Sequence, residues 1–321
     1  MPNQIQIKIT MVTIKKIEIN GFFGKGDFEW NLDPVVNILG GKNGSGKSSI
    51  FKMCYAMLND RNMFASMEKD LRNIFKEVTL TLSNNWTLHW PYDSGAVRLD
   101  FDGVKPMAYM DSVSVEDEKG EKRELDELQK LVRVYLINSF EQHLDEAIKY
   151  WQQPHSMSLN NPTMLDLMIE DQKNKRNANF STVMENLIDS SAEDDKKRKE
   201  FGDIYKKTYT ILEKFLREYD KPFKSSLEFS KGGEKFSFVH LSMGEKQILL
   251  LLLMVGNVNQ EPCIFFMDEP DLSMHIDWKE ELVTRLHELN PNMQIILSTH
   301  APSVITGWHD KVKEVDQLIK R

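Results

Sequence analysis

Gly41-Lys42-Asn43-Gly44-Ser45-Gly46-Lys47-Ser48 sets three glycines ahead of a lysine and a hydroxyl, in the pattern G-x-x-x-x-G-K-[ST]. Glycines at 41, 44 and 46 allow a backbone to approach an anion closely and turn its N–H groups inward. A helix beginning near Lys47 adds its positive N-terminal end. In such a loop the lysine reaches the terminal phosphates of a nucleotide and Ser48 takes a Mg²⁺ ion. The candidate nucleotide-contacting positions are Gly41, Asn43, Gly44, Ser45, Gly46, Lys47, Ser48 and Ser49. The context fits: Val35-Val36-Asn37-Ile38-Leu39 reads as the strand before the loop. Ser49 to Leu58 reads as the helix after it, with Ile50, Met53, Cys54 and Met57 on one stripe.

Three more segments carry chemistry. Cys263-Ile264-Phe265-Phe266-Met267 is an apolar run of buried-strand length ending in Asp268-Glu269. At the end of a strand beside a phosphate loop, Asp268 suits Mg²⁺ and Glu269 suits a general base or water-orienting group. Alone, the same run is a strand followed by an acidic turn at Pro270. Leu241-Ser242-Met243-Gly244-Glu245 precedes the apolar run Ile248 to Val255. Ser242 with Glu245 three residues on is a helix capping box, and the run is too short to span a bilayer. Ile295-Ile296-Leu297-Ser298-Thr299 is another buried-strand pattern, and His300 follows it.

Taken together these segments resemble an ABC-type ATPase, of the RecF-like and OLD-like branch that includes ATPases of bacterial anti-phage defence systems. The likeness rests on Leu241 to Glu245, on Asp268-Glu269-Pro270-Asp271-Leu272-Ser273-Met274-His275 with Trp278, on Ser298-Thr299-His300-Ala301-Pro302 and on Gly307-Trp308-His309-Asp310. It implies an α/β fold, a P-loop NTPase head of RecF/SMC type with an inserted helical subdomain. It also implies ATP and Mg²⁺ as ligands and a head-to-tail homodimer, or a higher assembly of dimers. In that arrangement Ser242, Gly244 and Glu245 face the γ-phosphate bound by the opposite subunit, and Asp271 to His275 crosses the seam. Asp268 and Ser48 hold the metal, Glu269 acts on water, and His300 senses the γ-phosphate. Relatives usually carry Phe-Arg where this chain has Gly21-Phe22-Phe23-Gly24-Lys25, so the adenine-side contact is open. Relatives of OLD type continue into a TOPRIM nuclease domain, which is not expected here. The likeness therefore implies regulation of a separate effector, a nuclease or toxin. A RecF-like repair ATPase that binds DNA is the second reading, and a transporter ATPase the third.

Between the two halves of this motor lie residues of mixed character. Val78-Thr79-Leu80-Thr81-Leu82 and Trp86-Thr87-Leu88-His89-Trp90 flank Asn84-Asn85 as a hairpin. Glu116 to Glu127 is charged and expected to be a solvated loop or helix face. Val132 to Ile137 reads as a strand leading to Gln142, a candidate third metal ligand or simply a surface glutamine. Pro162 to Asp220 reads as helical, with Ile204, Tyr205, Thr208, Ile211, Leu212, Phe215 and Leu216 at helical spacing. The expected division is an N-terminal ATPase lobe over 1–115, the Q-loop region and helical insertion over 116–225, and a C-terminal lobe over 226–321. The 321 residues carry 41 Lys and Arg against 49 Asp and Glu, a net charge of −8. That balance gives no global pull toward nucleic acid, although a local basic patch stays open. Cys54 and Cys263 read as small buried apolar residues, without a C-x-x-C pair. With no signal peptide or transmembrane stretch, the expected location is cytoplasmic.

Overall fold

Cys263–Asp268 is a strand in which every residue is buried, and its side chains divide between two cores. Cys263, Phe265 and Met267 enter one, while Ile264 and Phe266 enter the other. Alternation of side chains along a strand sends neighbours to opposite faces, so this sheet is covered on both sides. The structure is a computed structural model that describes residues 11–59, 74–91, 113–137, 163–185, 192–216 and 227–320.

The strands are β1 (Ile14–Phe22), β2 (Gly26–Asn31), β3 (Val36–Gly40), β4 (Glu77–Leu82), β5 (Thr87–Pro91), β6 (Ser114–Glu116), β7 (Lys122–Arg123), β8 (Arg133–Ile137), β9 (Glu228–Lys231), β10 (Glu234–Ser237), β11 (Cys263–Asp268), β12 (Met293–Ser298), β13 (Val312–Glu314) and β14 (Ile319–Lys320). The α-helices are α1 (Lys47–Asn59), α2 (Leu125–Leu131), α3 (Met164–Glu185), α4 (Ala192–Phe215), α5 (Met243–Asn257), α6 (Ile276–Leu289) and α7 (Val315–Leu318). Strands β13-β3-β12-β11-β8 form a parallel sheet, and β14-β2-β1-β4-β5-β6-β7 an antiparallel one. Strands β9 and β10 make a separate hairpin.

The phosphate-loop helix α1 belongs to the core shared by the two sheets, where Ile50, Met53, Cys54 and Met57 are buried as their spacing predicts. The opposite core joins the parallel sheet to a helical layer of α3, α4, α5 and α6. Helix α5 is its centre. Leu249 to Leu253 are all buried, as expected of a helix apolar on every side, and each such side chain contributes roughly 1.5–3 kcal/mol. Among the described residues no helix is long and apolar enough to cross a membrane.

The charged stretch Glu116 to Glu127 is solvated as expected, with residues 118–124, 126 and 127 exposed, and it is also structured. It makes the β6–β7 hairpin and the start of α2. Asp117 is buried and accepts from Arg123 at 2.6 Å and from the Lys119 and Glu121 backbone N–H groups. Burial opposes ionisation of Asp117, but those hydrogen bonds outweigh it and hold its carboxyl below the usual range. Both cysteines are buried, and burial pushes the Cys263 thiol up to about 12 and that of Cys54 higher still. Gln142 lies outside the described residues.

One buried side chain ties the two sheets together. Gln294 on β12 accepts from the Ile14 N–H at 2.8 Å and donates to the carbonyls of Ile14 at 2.8 Å and Asp33 at 2.9 Å. Gln294→Leu would strand buried backbone groups at about 1–3 kcal/mol apiece. We expect a loss of about 3 kcal/mol in denaturant unfolding. A loss below about 0.5 kcal/mol would show that Gln294 is not the link.

Candidate functional site

Strands β3, β12 and β11 are neighbours running in one direction, and each ends at a residue of interest. Asp268 pairs in register with Ser298, and Ser298 with Leu39. The phosphate loop, His300 and Glu269 therefore emerge side by side at the carboxyl ends of the strands, the edge where open parallel sheets gather ligands.

The loop's glycines are required by its path. Gly41, Gly44 and Gly46 have φ of 148°, 74° and 99°, a region that other residues enter at a cost. A Cβ at Gly41 would come within 2.8 Å of Ser45 Oγ, and one at Gly46 within 2.5 Å of the Phe23 ring. Asn43, Gly44 and Ser48 are exposed and Ser49 is half-buried. Lys47 is buried, and its Nζ donates to the carbonyls of Gly41 at 2.9 Å and Lys42 at 3.3 Å. It also lies 2.9 Å from His300 Nε2, which is 3.2 Å from Glu269 Oε1. Burial lowers the Lys47 pKa, against the opposing pull of Glu269, Asp268 and Glu314.

Asp268 Oδ1 accepts from Ser298 Oγ at 2.6 Å, and the Glu269 N–H donates to the Ser298 carbonyl at 3.1 Å. Glu269 itself is held at φ 48°, a left-handed conformation that is rare for a side chain of its size. One turn on, Thr299 Oγ1 donates to Asp271 at 2.9 Å, and Lys279 pairs with Asp271 at 3.1 Å. Asp271 is thereby fastened both to the residue that follows β12 and to α6.

The phosphate-loop residues, Asp268, Glu269 and His300 come together in one cluster. Ser242, Gly244 and Glu245 do not join it: among the described residues no hydrogen bond or ion pair connects them to it. They form the N-terminus of α5, and the capping box is complete. The Ser242 N–H donates to Glu245 Oε2 at 2.6 Å, and the Glu245 N–H to Ser242 Oγ at 3.4 Å. Gly244 has a local reason to be glycine, since a Cβ there would run into the Ser273 carbonyl oxygen. That contact sets the start of α5 against Asp271 to His275. Around it Met243, Leu272 and Ile276 are 51%, 44% and 59% exposed.

The cluster suits a triphosphate and Mg²⁺. Ser45 Oγ is buried without a hydrogen-bond partner among the described residues, and Lys47 Nζ lies against the Gly41 and Lys42 carbonyls and His300 Nε2. Among the described residues no group of three or more His, Cys, Asp or Glu forms a metal cage. Three contributors escaped the sequence reading: Ser298, which fixes Asp268 and Glu269; Lys279, whose ion pair crosses helix and loop; and Phe23. The Phe23 ring lies against Gly46, with Lys25 Nζ 5.7 Å from its centre. The departure at Gly21 to Lys25 was the one signal for Phe23. Because the backbone at 269 costs about 1 kcal/mol or more for a non-glycine residue, Glu269→Gly should raise thermal stability by about 0.5–1 kcal/mol while Glu269→Gln leaves it unchanged. Destabilisation of the glycine variant by more than about 1 kcal/mol would contradict the strain.

Comparisons with known proteins fit this geometry. Residues 121–306 match the family described as "AAA domain, putative AbiEii toxin, Type IV TA system". The chain is similar to the Retron Vc95 probable ATPase of Vibrio cholerae serotype O1 biovar El Tor, at 35% identity over 100 residues, 27% of this chain and 20% of that protein. It is similar to the Retron Ec83 probable ATPase of Escherichia coli, at 27% identity over 165 residues, 46% of this chain and 30% of that protein. The matches thus span less than a third of either relative's length. Among solved structures, an Smc head bound to the C-winged helix domain of ScpA has a TM-score of 0.56 at 14% identity, covering 94% of this chain and 93% of that one. The Smc head domain from Pyrococcus furiosus with an extended coiled coil, bound to the C-terminal domain of ScpA, has a TM-score of 0.54 at 16% identity, covering 92% and 91%. At those identities the likeness is one of fold, an ABC-type P-loop head. The family match covers more than half of the chain, and on that ground the protein belongs to the AAA-domain family of the AbiEii type.

Proposed function

We propose that the chain is an ABC-type ATPase that closes head-to-tail around ATP and Mg²⁺ and uses hydrolysis to control a partner effector in anti-phage defence. The observation that carries the reading is the chain of contacts Lys47–His300–Glu269 at the ends of adjacent parallel strands, with Ser242 outside it on an exposed helix start. A half-site that holds the lysine and the acid but not the signature serine suits completion by a second copy. The exposed apolar residues Met243, Leu272 and Ile276 beside Ser242 suit the same seam.

In this reading Lys47 and the loop N–H groups bind the phosphates, and Phe23 lies toward the nucleoside side. Ser48 and Asp268 would hold Mg²⁺, which supplies neutralisation of charge on the transferring phosphoryl group. Gln142 remains a candidate for the same shell. Glu269 accepts the proton of the attacking water as its oxygen bonds to the γ-phosphorus and the bond to the ADP oxygen breaks. His300, within reach of both Lys47 and Glu269, positions that water and registers the γ-phosphate. Ser242, Gly244 and Glu245 present the helix start to the partner's γ-phosphate. The defence role is supported by the family and by the retron relatives, both called probable ATPases. The effector would be a separate nuclease or toxin, and the site of action cytoplasmic.

Lys47→Ala should reduce nucleotide affinity at least 100-fold in a fluorescent-nucleotide titration, and unchanged affinity would refute the phosphate-loop assignment. Glu269→Gln should accumulate a closed dimer in ATP and Mg²⁺, read by light scattering. A variant that binds ATP yet stays monomeric would contradict the head-to-tail arrangement.

A further inference from the structure

His300 is placed by its backbone more than by packing. Its side chain is 38% exposed. Among the described residues the polar partners of its ring are Lys47 Nζ at 2.9 Å and Glu269 Oε1 at 3.2 Å. Both are groups that a triphosphate and its attacking water would engage in the ATPase reading. Once they are engaged, the place of the ring depends on how residues 299–301 are held.

One hydroxyl holds them. Thr299 is 5% exposed; its Oγ1 donates to Asp271 Oδ1 at 2.9 Å and accepts from the Ala301 N–H at 3.0 Å. The second of these bonds closes a side-chain turn around His300, of the kind that threonine makes two residues along a chain. The acceptor is fixed in its turn. Asp271 is 4% exposed, and its Oδ2 pairs with Lys279 Nζ at 3.1 Å. A buried carboxylate stays charged only with such a partner, and a charged acceptor makes the stronger hydrogen bond to a hydroxyl. Backbone bonds set both ends of the pair: the Met274 N–H donates to the Asp271 carbonyl at 3.1 Å, and the Lys279 N–H to that of His275 at 3.1 Å.

The loop that holds Asp271 also bears Glu269, whose N–H donates to the Ser298 carbonyl at 3.1 Å and to Ser298 Oγ at 3.2 Å. Two successive rungs, Glu269 to Ser298 and Asp271 to Thr299, thus lace the segment after β11 to the segment after β12. A buried ion pair adds little net stability compared with apolar packing of the same volume. What the Lys279–Asp271 pair fixes here is direction, because it presents a charged oxygen to Thr299 at one place.

We propose that Thr299 and Asp271, with Lys279 as counter-charge, are positioning residues that hold His300 against Glu269 and Lys47. They act through His300, and loss of the Thr299 hydroxyl slows hydrolysis without weakening nucleotide binding. The kinetic consequence rests on the ATPase reading, whereas the hold on His300 is tested without nucleotide.

The full-length protein, labelled with ¹³C-histidine and free of nucleotide, reports a Cε1–H resonance for His300, identified by its loss in His300→Gln. Thr299→Val should move that resonance and leave the one from His89, on the antiparallel sheet, in place. With ATP and Mg²⁺ the same variant should lose about tenfold in kcat while KM stays within about twofold. Thr299→Ser keeps the hydroxyl and should restore the resonance and bring kcat to within about threefold of the wild type. Lys279→Gln, with Lys279→Arg as its conservative counterpart, repeats the test at a more exposed residue and decides it should Thr299→Val not fold. An unmoved His300 resonance in Thr299→Val and Lys279→Gln, a loss confined to KM, an unchanged kcat, or a serine variant as impaired as the valine variant would each overturn the proposal. A moved resonance in a protein whose wild type turns over no ATP would overturn the ATPase reading and uphold the hold on His300.

Discussion

A parallel strand buried on both faces can present polar chemistry only at its ends. In this chain β3, β11 and β12 send alternate side chains into two separate cores, which leaves their carboxyl ends as the common outlet. The register fixes the rest. Because Asp268 lies level with Ser298, and Ser298 with Leu39, the loop lysine, the acid and the histidine reach one place although they are far apart in sequence. The antiparallel sheet and the helical layer supply the two covers that make this burial possible, and Gln294 joins one cover to β12, the strand that leads to His300.

The second consequence concerns what the site holds in reserve. Lys47 is turned onto its own loop carbonyls and onto His300, and His300 reaches Glu269. These contacts are with partners of modest strength, so a triphosphate offers Lys47 a stronger electrostatic partner. Glu269 is in a strained backbone conformation, which keeps its carboxylate beside the histidine rather than along the strand. Strain of this kind persists where the surroundings over-determine it, and here the Ser298 side chain and carbonyl both bind the Glu269 N–H.

Much of this was legible in the sequence because it is local. Spacing placed Ile50, Met53, Cys54 and Met57 on the buried stripe of α1, and the unbroken apolar run before Asp268 marked a strand covered on both faces. The capping box at Ser242 was readable as such and formed. What escaped depends on contacts that periodicity does not reveal, most of them between residues distant in sequence. The charged run after Glu116 is largely solvated as its composition suggests, but Asp117 within it is buried, satisfied by Arg123 and by the Lys119 and Glu121 N–H groups. Gly244 suggested room for a partner's phosphate, while the structure gives it an additional constraint within its own chain, the Ser273 carbonyl. The fastening of Asp271 by Thr299 and Lys279, and the packing of Phe23 on Gly46, arise only when strand order is known.

The central claim is that a complete site is assembled from the phosphate loop of one chain and the α5 start of another. Mixing two inactive variants tests it most directly. Lys47→Ala chains lack a working loop, and Ser242→Arg chains lack a working α5 start; each alone should hydrolyse no ATP. A mixture forms heterodimers with one intact site, and the account predicts that hydrolysis returns. Continued silence of the mixture, with heterodimers demonstrated, or full activity of Ser242→Arg alone, would contradict it.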